Sequence, residues 1–225
     1  MQEFTSDAEV WYLAYGSNLC PGRFHAYILG KSFKDRIPER GCRNKCLPKA
    51  EAGHIGCGRL IFGSWSKSWN SAIAFLEVGA HGSQFFGRRY RITWEQFLDV
   101  AFQENGQAPG DTAIDIQWAS RQMGRVGLAG VSIAELRGPI GNLKYPSIVE
   151  FAGVDGLSMV TLTGPVPEQA IQDRTWSTDY VKVINKGLCE SHPMLTREQI
   201  VDYLTPAVGA ARFEGDVALA EIITA

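Results

Sequence analysis

A sharp turn that follows the first apolar segment carries residue types that could bind an anion. The segment 10–15, VWYLAY, is rich in aromatic and β-branched residues, which predicts a buried strand ending at the turn 16–18, GSN. Gly16 has no Cβ, so a ligand can approach the backbone closely there. Successive N–H groups in such a turn can form a concavity for an anion or a developing oxyanion. On composition alone, a plain tight turn is the commoner explanation of the same residues.

A glutamate at the end of the clearest predicted helix is the second candidate for chemistry. The run 93–96, TWEQ, matches a capping box, and 105–106, NG, is a stop signal, so a helix is predicted over 94–104. The partial negative charge at a helix C-terminus and burial both disfavour an ionised carboxylate. They would raise the pKa of Glu104 from about 4.3 toward the neutral range, where a carboxyl can shuttle protons. An exposed glutamate at a fraying helix end is the alternative.

The elements that must position these residues include several strands and a few helices. This content predicts an α+β fold, with a curved or closed, barrel-like mixed sheet flanked by helices, in a single domain over 1–225. Residues 1–9 are expected to be a loose tail, and 31–58 mostly loop with short strands. Further strands are predicted at 59–63, 71–77, 84–92, 145–151 and 157–163. Further helices are predicted at 177–189 and from a second capping box at 196–199 to Leu204, where Pro206 should end the helix.

Composition excludes several classes of protein. The 225 residues are 45% hydrophobic, which excludes a disordered chain, and 22 Lys+Arg against 24 Asp+Glu remove any broad attraction to nucleic acid or to an anionic membrane. There is no apolar run of the length that a membrane span needs, and the N-terminus lacks the pattern of a secretory signal. We therefore expect a cytoplasmic protein whose five irregularly spaced cysteines are free thiols.

Four segments of the chain, taken in order, match the pattern of a known family. The run 15–19, YGSNL, which follows an apolar strand, resembles the signature loop of the γ-glutamylcyclotransferase-like family. The run 69–74, WNSAIA, is similar to its Trp, small-residue, Ile-Ala strand, and 86–92, FGRRYRI, to its Gly-centred strand. The run 103–106, QENG, stands where the family has a Glu-Gly pair after the central helix. The later half agrees through Tyr145, Ser177, Tyr180, Ile184, Gly187 and Leu188.

The resemblance covers about 10–104 and 143–204, and it has two departures. Residues from about 107 to 142 look like an insertion relative to compact members of the family. Asn70 and Ser71 stand where compact members tend to have glycines. Both departures could reshape the substrate pocket.

The resemblance implies a particular reaction and a particular set of residues. The α-amine of a γ-glutamyl amide attacks its own γ-carbonyl, 5-oxoproline forms, and the amine partner leaves. Glu104 would be the catalytic general acid and base. N–H groups of the turn would hold a carboxylate or the developing oxyanion, and two tyrosines would orient the substrate. The implied substrate-binding residues are Tyr15, Gly16, Ser17, Asn18, Leu19, Tyr145 and Tyr180.

Two further groups of residues could carry chemistry. Cys42, Cys46, His54 and Cys57 are possible Zn²⁺ ligands by residue type, but their spacing matches no common template and the family does not require zinc, so we predict no metal and no cofactor. One of Arg88, Arg89 and Arg91 could pair with a substrate carboxylate, although arginines on a strand are more often solvated. Glu95 and Asp99 are expected to be solvated charges on the helix.

Three functions remain open on the sequence. The expected partner is a small γ-glutamyl molecule, with no nucleic acid and no membrane, and a homodimer is left open. The inserted segment could instead have converted the pocket to amide hydrolysis or acyl transfer on a secondary metabolite. A binding module for a small anion, without catalysis, is the third alternative, because a fold does not by itself establish an activity.

Overall fold

The computed structural model describes residues 5–78, 82–110, 131–132, 144–145, 147–164, 176–208 and 219–224. A short 3₁₀ turn at Ser17–Leu19 follows the first strand. The strands in this part of the chain are β1 (Glu9–Ala14), β2 (Ala50–Ser66), β3 (Ser71–Val78), β4 (Gln84–Thr93), β5 (Val131–Ser132), β6 (Ser147–Val154) and β7 (Leu157–Thr163). The helices are α1 (Pro21–Leu29), α2 (Trp94–Glu104), α3 (Thr178–Ser191), α4 (Arg197–Val208) and α5 (Leu219–Thr224).

The predicted strands and helices are confirmed in type and order, with shifts at their ends. Strand β2 is much longer than the predicted 59–63, because it begins at Ala50, inside the segment expected to be mostly loop. The tail prediction is wrong at Glu9, which begins β1. Most of the segment predicted to be an insertion, 107–142, lies outside the described residues.

Contacts within the chain divide it into two compact units, each assembled from separate stretches of sequence. The first unit comprises Met1–Leu13, His25–Glu51 and Arg89–Gly164. The second comprises Ala14–Phe24, Ala52–Arg88 and Pro165–Ala225. The prediction of one domain over 1–225 stays a prediction.

In the first unit, β1 pairs in parallel with β7, placing Trp11 opposite Met159. Strand β7 is antiparallel to β6, which is antiparallel to β5. The two-residue turn Asp155-Gly156 joins β6 to β7, and both residues have positive φ, 51° and 76°, as a tight hairpin turn requires. The α+β class with a mixed sheet is therefore confirmed. Among the described strands, the order ends at β3 and at β5, and no pairing joins these two edges into a closed sheet.

Strands β2 and β3 pair antiparallel in the second unit, with Leu60 opposite Leu76 and Phe62 opposite Ala74. These four side chains are buried. Both faces of β3 are buried over its first six residues, which explains why its sequence, SAIAFL, is small and apolar without polar alternation.

Helix α2 packs its apolar face on the sheet of the first unit. Trp94 and Phe97 are fully buried and their rings stack with centroids 5.2 Å apart. The ring of Tyr12 on β1 lies 5.9 Å from that of Phe97 and 6.5 Å from that of Tyr90 on β4. These aromatic contacts fix α2 against β1 and β4.

Both predicted capping boxes are present. At the start of α2, the Gln96 N–H donates to the Thr93 hydroxyl at 3.2 Å, and the Thr93 N–H donates to the Gln96 side chain at 3.0 Å. Thr196 and Gln199 exchange the same two bonds at the start of α4, at 3.2 and 2.8 Å. Each pair satisfies backbone donors that the first helical turn leaves open.

The predicted end of α4 is wrong, because the helix runs through Pro206 to Val208. Proline removes the hydrogen bond that would reach the carbonyl of Asp202, but Asp202 is exposed, so water can satisfy that carbonyl. Ala207 is buried, and this burial favours a further turn beyond the proline.

A strip of three polar side chains on α2 holds the loop 41–46. Gln96, Asp99 and Gln103 form this polar strip, spaced three and four residues apart on one helix face. Gln96 donates through Nε2 to the carbonyls of Asn44 and Cys46, at 3.1 and 2.7 Å. At the other end, the Gln103 Oε1 accepts the Gly41 N–H at 2.9 Å. The loop backbone is therefore bonded at both of its ends to one helix.

Asp99 lies in the middle of the polar strip, and the expectation that it is a solvated charge is wrong. Its side chain is fully buried, and it accepts the Arg43 N–H at 2.8 Å and the Arg43 Nε at 3.0 Å. The Arg43 Nη2 lies 2.9 Å from Asp99 Oδ1, and its Nη1 lies 3.2 Å from Glu95. A buried carboxylate needs such a set of charged and neutral donors to offset its lost hydration.

Among the described residues, no helix combines the length and the apolar composition needed to cross a membrane.

The ion pair between Arg43 and Asp99 should be asymmetric in its effect on stability. Arg43→Met leaves a buried carboxylate without its guanidinium, which we expect to lower the free energy of unfolding by about 3–5 kcal/mol. Asp99→Asn leaves a guanidinium on a side chain that is 37% exposed and can be hydrated, so we expect a loss of about 1–2 kcal/mol. Urea unfolding of both variants measures the difference. A larger loss for Asp99→Asn than for Arg43→Met would contradict this account.

Candidate active site

Glu104 is the last residue of α2 and is half-buried. The residue before it, Gln103, is held by three bonds within the first unit. Its Oε1 accepts from Gly41, and its Nε2 donates to the carbonyls of Tyr27 at 3.3 Å and Asp99 at 3.2 Å. The backbone that carries the predicted catalytic carboxylate is thus anchored immediately on its N-terminal side.

Asn105, the residue after Glu104, anchors the backbone on the C-terminal side of Glu104 and connects the end of α2 to Tyr145. Asn105 caps α2, and its Nδ2 donates to the carbonyl of Ala101 at 2.9 Å and to that of Tyr145 at 3.2 Å. The Tyr145 N–H donates back to Asn105 Oδ1 at 2.9 Å. Gly106 follows with φ of 79°, the left-handed conformation common after a helix. Two predicted site residues, Glu104 and Tyr145, are therefore brought together through Asn105.

Sequence reasoning identified Asn105 only as a helix stop signal. An asparagine at a helix end can bond to the preceding carbonyls, and that part was readable from the run Asn105-Gly106. Its pairing with Tyr145 spans 40 residues, so no local pattern could indicate it.

In the second unit, the turn 16–19 closes on itself. The Leu19 N–H donates to the Gly16 carbonyl at 2.9 Å, and the Cys20 N–H donates to the Ser17 carbonyl at 3.1 Å. The N–H of Leu19 is therefore used inside the turn. The Leu19 side chain is fully buried, and a Cβ built on Gly187 would approach its Cβ to 2.4 Å. Only a glycine in α3 permits this close packing.

Tyr180 lies beside the turn in the same unit. It is buried, and its hydroxyl accepts the Ala74 N–H at 2.9 Å. The rings of Trp69 and Phe62 approach Tyr180 edge-on, at 5.0 and 5.8 Å between centroids. A Cβ on Gly16 would lie 3.3 Å from the Tyr180 hydroxyl and 3.2 Å from the Ala74 Cβ. Close packing against β3 is thus a structural reason for the glycine, beside any role in binding.

The departure from the family pattern at 70–71 has a structural role. Ser71 is fully buried, and its Oγ accepts the Ser177 N–H at 2.9 Å. Ser177 caps α3 by accepting the Tyr180 N–H at 3.3 Å, and its hydroxyl donates to the carbonyl of Trp69 at 3.1 Å. Asn70 adopts a positive φ of 47°, which asparagine tolerates. These polar residues hold the start of α3 on β3 and so position Tyr180.

The predicted site residues fall into both units, and their roles stay predictions. Glu104 and Tyr145 belong to the first unit. The turn residues belong to the second, together with Tyr180. The buried members of the set are Tyr15, Asn18, Leu19, Tyr145 and Tyr180.

The cysteines differ in exposure. Among the residues that the model describes, no group of three or more His, Cys, Asp or Glu side chains could hold a metal ion. Cys42 is buried under the polar strip, with its Sγ 3.8 Å from the Gln103 Nε2, and burial raises the pKa of its thiol to about 12. Cys20 is also buried, whereas Cys46, Cys57 and Cys189 are exposed.

The three arginines of β4 have different surroundings. Arg88 is buried and its Nη2 lies 3.6 Å from Glu190 in the second unit. Arg91 pairs with Glu9 in the first unit. Arg89 lies over the ring of Trp11, with its Cζ 5.0 Å from the centroid.

Comparison with known proteins finds similarity of two kinds. No family model matches the chain. Histone deacetylase 5 of Arabidopsis thaliana is 38% identical over 103 residues, which are 44% of this chain and 16% of that protein, so the chain spans a small fraction of its length.

Two solved structures are similar over nearly the whole chain. One is an uncharacterized Homo sapiens protein, with 17% identity, a TM-score of 0.46, and coverage of 96% of this chain and 99% of that chain. The other is a gamma-glutamyl cyclotransferase, with 18% identity, a TM-score of 0.48, and coverage of 96% and 98%. Both TM-scores lie below 0.5, so the functional argument rests on the residues of this chain.

Asn105→Ala should release Tyr145 from the end of α2. It removes two side-chain bonds to the Tyr145 backbone, so we expect a loss of about 1–3 kcal/mol in unfolding free energy and loss of hydrogen-exchange protection at the Tyr145 N–H. Asn105→Asp keeps the acceptor for that N–H and should retain its protection. Equal protection in the alanine variant and the parent would contradict the predicted anchor.

Thiol reactivity should divide the five cysteines into two classes. In the folded protein a thiol reagent at pH 8 should react quickly with the three exposed thiols and slowly with Cys20 and Cys42. The raised pKa of Cys42 leaves almost no thiolate at that pH. All five should react in denaturant, and Cys46→Ser should remove one fast thiol while Cys42→Ser removes none. Fast reaction of four or five thiols in the folded parent would disprove the assignment.

Proposed function

We propose that the chain is an enzyme that cleaves γ-glutamyl amides by internal cyclisation, releasing 5-oxoproline, with Glu104 as the general acid and base. The observation that carries this proposal is the position of Glu104. A half-buried carboxyl ends α2 between two anchored neighbours, Gln103 and Asn105, and Asn105 also holds Tyr145. A proton-transfer group needs a fixed position, and these bonds hold the backbone on both sides of Glu104.

The proposed reaction needs no nucleophile from the protein. The Glu104 carboxylate takes a proton from the substrate α-ammonium, and the freed amine attacks the γ-carbonyl carbon. The electron pair of the carbonyl moves to its oxygen, giving an oxyanion. When that pair returns, the bond to the leaving nitrogen breaks, and Glu104 delivers its proton to this nitrogen. The attacking nitrogen also loses a second proton, which the Glu104 carboxylate takes and passes to the leaving amine, so that the amine departs as an ammonium ion. The products are the five-membered lactam 5-oxoproline and a free amine, and no water is consumed.

Backbone donors of the turn would serve the negatively charged groups of the substrate. The Leu19 N–H already donates to the Gly16 carbonyl, so the donors that we propose are the other N–H groups of the turn, in the range 16–18. Donors that are fixed before the reaction stabilise an oxyanion most effectively, because they need no reorganisation as the charge develops. The buried Leu19 side chain and the close contact at Gly187 support such a fixed turn.

Tyr145 and Tyr180 would orient the substrate through their hydroxyls. The backbone of Tyr145 is held by Asn105, and the ring of Tyr180 is held by Trp69 and the Ala74 N–H. Such orientation matters for an internal attack, since well-oriented intramolecular groups reach effective molarities of about 10⁵–10⁸ M.

Replacement of Glu104 by glutamine tests the proposal directly. Glu104→Gln keeps size and shape but removes the proton acceptor, so we expect kcat for 5-oxoproline release to fall by at least about 10²-fold. The matched control is Glu95→Gln on the same helix, whose carboxylate contacts Arg43 and should leave turnover close to that of the parent. The measurement is mass-spectrometric detection of 5-oxoproline from a panel of γ-glutamyl amines, amino acids and peptides.

The products of the parent protein distinguish the alternatives. Free glutamate or a new amide instead of 5-oxoproline would replace cyclisation by hydrolysis or acyl transfer. Binding of panel members without any turnover would indicate a binding module. Unchanged turnover in Glu104→Gln would show that Glu104 is not the base.

A further inference from the structure

Arg89 differs from the other arginines of β4 in lacking an acidic partner. Within the part of the chain that the structure describes, its side chain makes no ion pair and no hydrogen bond, and its Nε is buried without an acceptor. The residue as a whole is partly exposed, so the outer edge of the guanidinium is the part that meets solvent. A guanidinium remains charged at all relevant pH values and is ordinarily paired when it is partly buried.

The indole of Trp11 supports Arg89 and presents a second donor without an acceptor. Trp11 on β1 is 5% exposed, and the Arg89 Cζ lies 5.0 Å from its ring centroid. In the described part of the chain the Trp11 Nε1 has no hydrogen-bond partner. The indole can only donate a hydrogen bond, so it supports the guanidinium without adding an acceptor that would compete with an anionic ligand.

The surrounding charge also favours an anion. Glu9 lies two residues before Trp11, and Arg91 lies two residues after Arg89, so all four share one face of the sheet. Glu9 is already paired with both Arg91 and Lys49. Among the described residues, this face also carries Lys49 and, two residues further along the chain in β2, Glu51, while the Glu9 carboxylate is engaged with Arg91 and Lys49. Arg89 is the arginine of this face that has no ion pair within the described residues, so its positive charge remains available to an anion.

We propose that Arg89 and Trp11 form a binding site for a small carboxylate. The two oxygens of a carboxylate match the paired N–H groups along the outer edge of the guanidinium. A carboxylate bound in this way is coplanar with the guanidinium that packs over the indole. The Trp11 face keeps the guanidinium in place before the ligand arrives. The site uses neither Glu104 nor the cyclisation reaction, so it stands independently of the proposed function.

The test follows the Trp11 indole N–H by ¹⁵N-resolved NMR, with the resonance assigned from Trp11→Phe. The probes are sodium 5-oxoproline and its neutral carboxamide, which share a ring and differ in the carboxylate. The acid should shift the Trp11 resonance with saturation, and the amide should not. Arg89→Met should weaken binding of the acid by about tenfold or more, because it removes a charge-assisted pair.

The matched control is Arg91→Met, which removes the same charge from the same face and should weaken binding by roughly twofold through the lost potential alone. Thermal unfolding of each variant checks that it is folded. Repeating the titration in Glu104→Gln should give an unchanged Trp11 response, which separates this site from the proposed active site. No saturable shift with the acid, an equal shift with the amide, or equal weakening by the two arginine variants would overturn the proposal.

Discussion

The buried carboxylate of Asp99 is the constraint on which the first unit depends. A fully buried charge in the middle of α2 would be strongly unfavourable without donors, and Arg43 supplies them from its backbone and its guanidinium. This need draws the loop 41–46 onto the helix, where Gln96 and Gln103 complete the polar strip. Cys42 belongs to this loop, and its thiol is consequently buried beside Gln103. One charge therefore determines the course of a segment that has no regular structure of its own.

The same strip determines how firmly the end of α2 is held. Helix ends ordinarily fray, because the last four carbonyls have no partner within the helix. Here Gln103 contacts the loop and Tyr27, and Asn105 bonds to Ala101 and Tyr145. Glu104 therefore lies at a helix end whose backbone is anchored by the side chains of both neighbouring residues. That is the kind of support that general acid–base chemistry requires.

The second unit is organised by close packing around small residues. Gly16 and Gly187 each lie where a Cβ would crowd a neighbour, at Ala74 and at Leu19 respectively. The buried hydroxyl of Ser71 accepts a hydrogen bond from the Ser177 N–H at the start of α3. The turn and Tyr180 are consequently held by close packing at the two glycines as well as by hydrogen bonds. This packing limits how far they can rearrange when a ligand binds.

The sequence by itself predicted the fold class and the order of most elements, but it missed helices α1 and α5. The strands at 10–15, 71–77 and 157–163 and both capping boxes were readable because each depends on residues a few positions apart. It also indicated Glu104 at a helix end. The turn 16–19 was predicted from local residues as well, since glycine, serine and asparagine favour such turns wherever they occur.

Only the tertiary structure decided which charges are buried and which are paired. Asp99 and Glu95 lie on one helix, and the sequence predicts a solvated charge at both positions. Asp99 is nevertheless buried against Arg43, whereas a quarter of the Glu95 side chain is exposed. Arg89 and Arg91 lie on the same face of β4, yet Arg91 forms an ion pair with Glu9, whereas Arg89 packs over the ring of Trp11. The helix through Pro206 and the bond between Asn105 and Tyr145 also escaped prediction. Each of these outcomes depends on a partner or an environment far away in sequence, and local pattern carries no information about such partners.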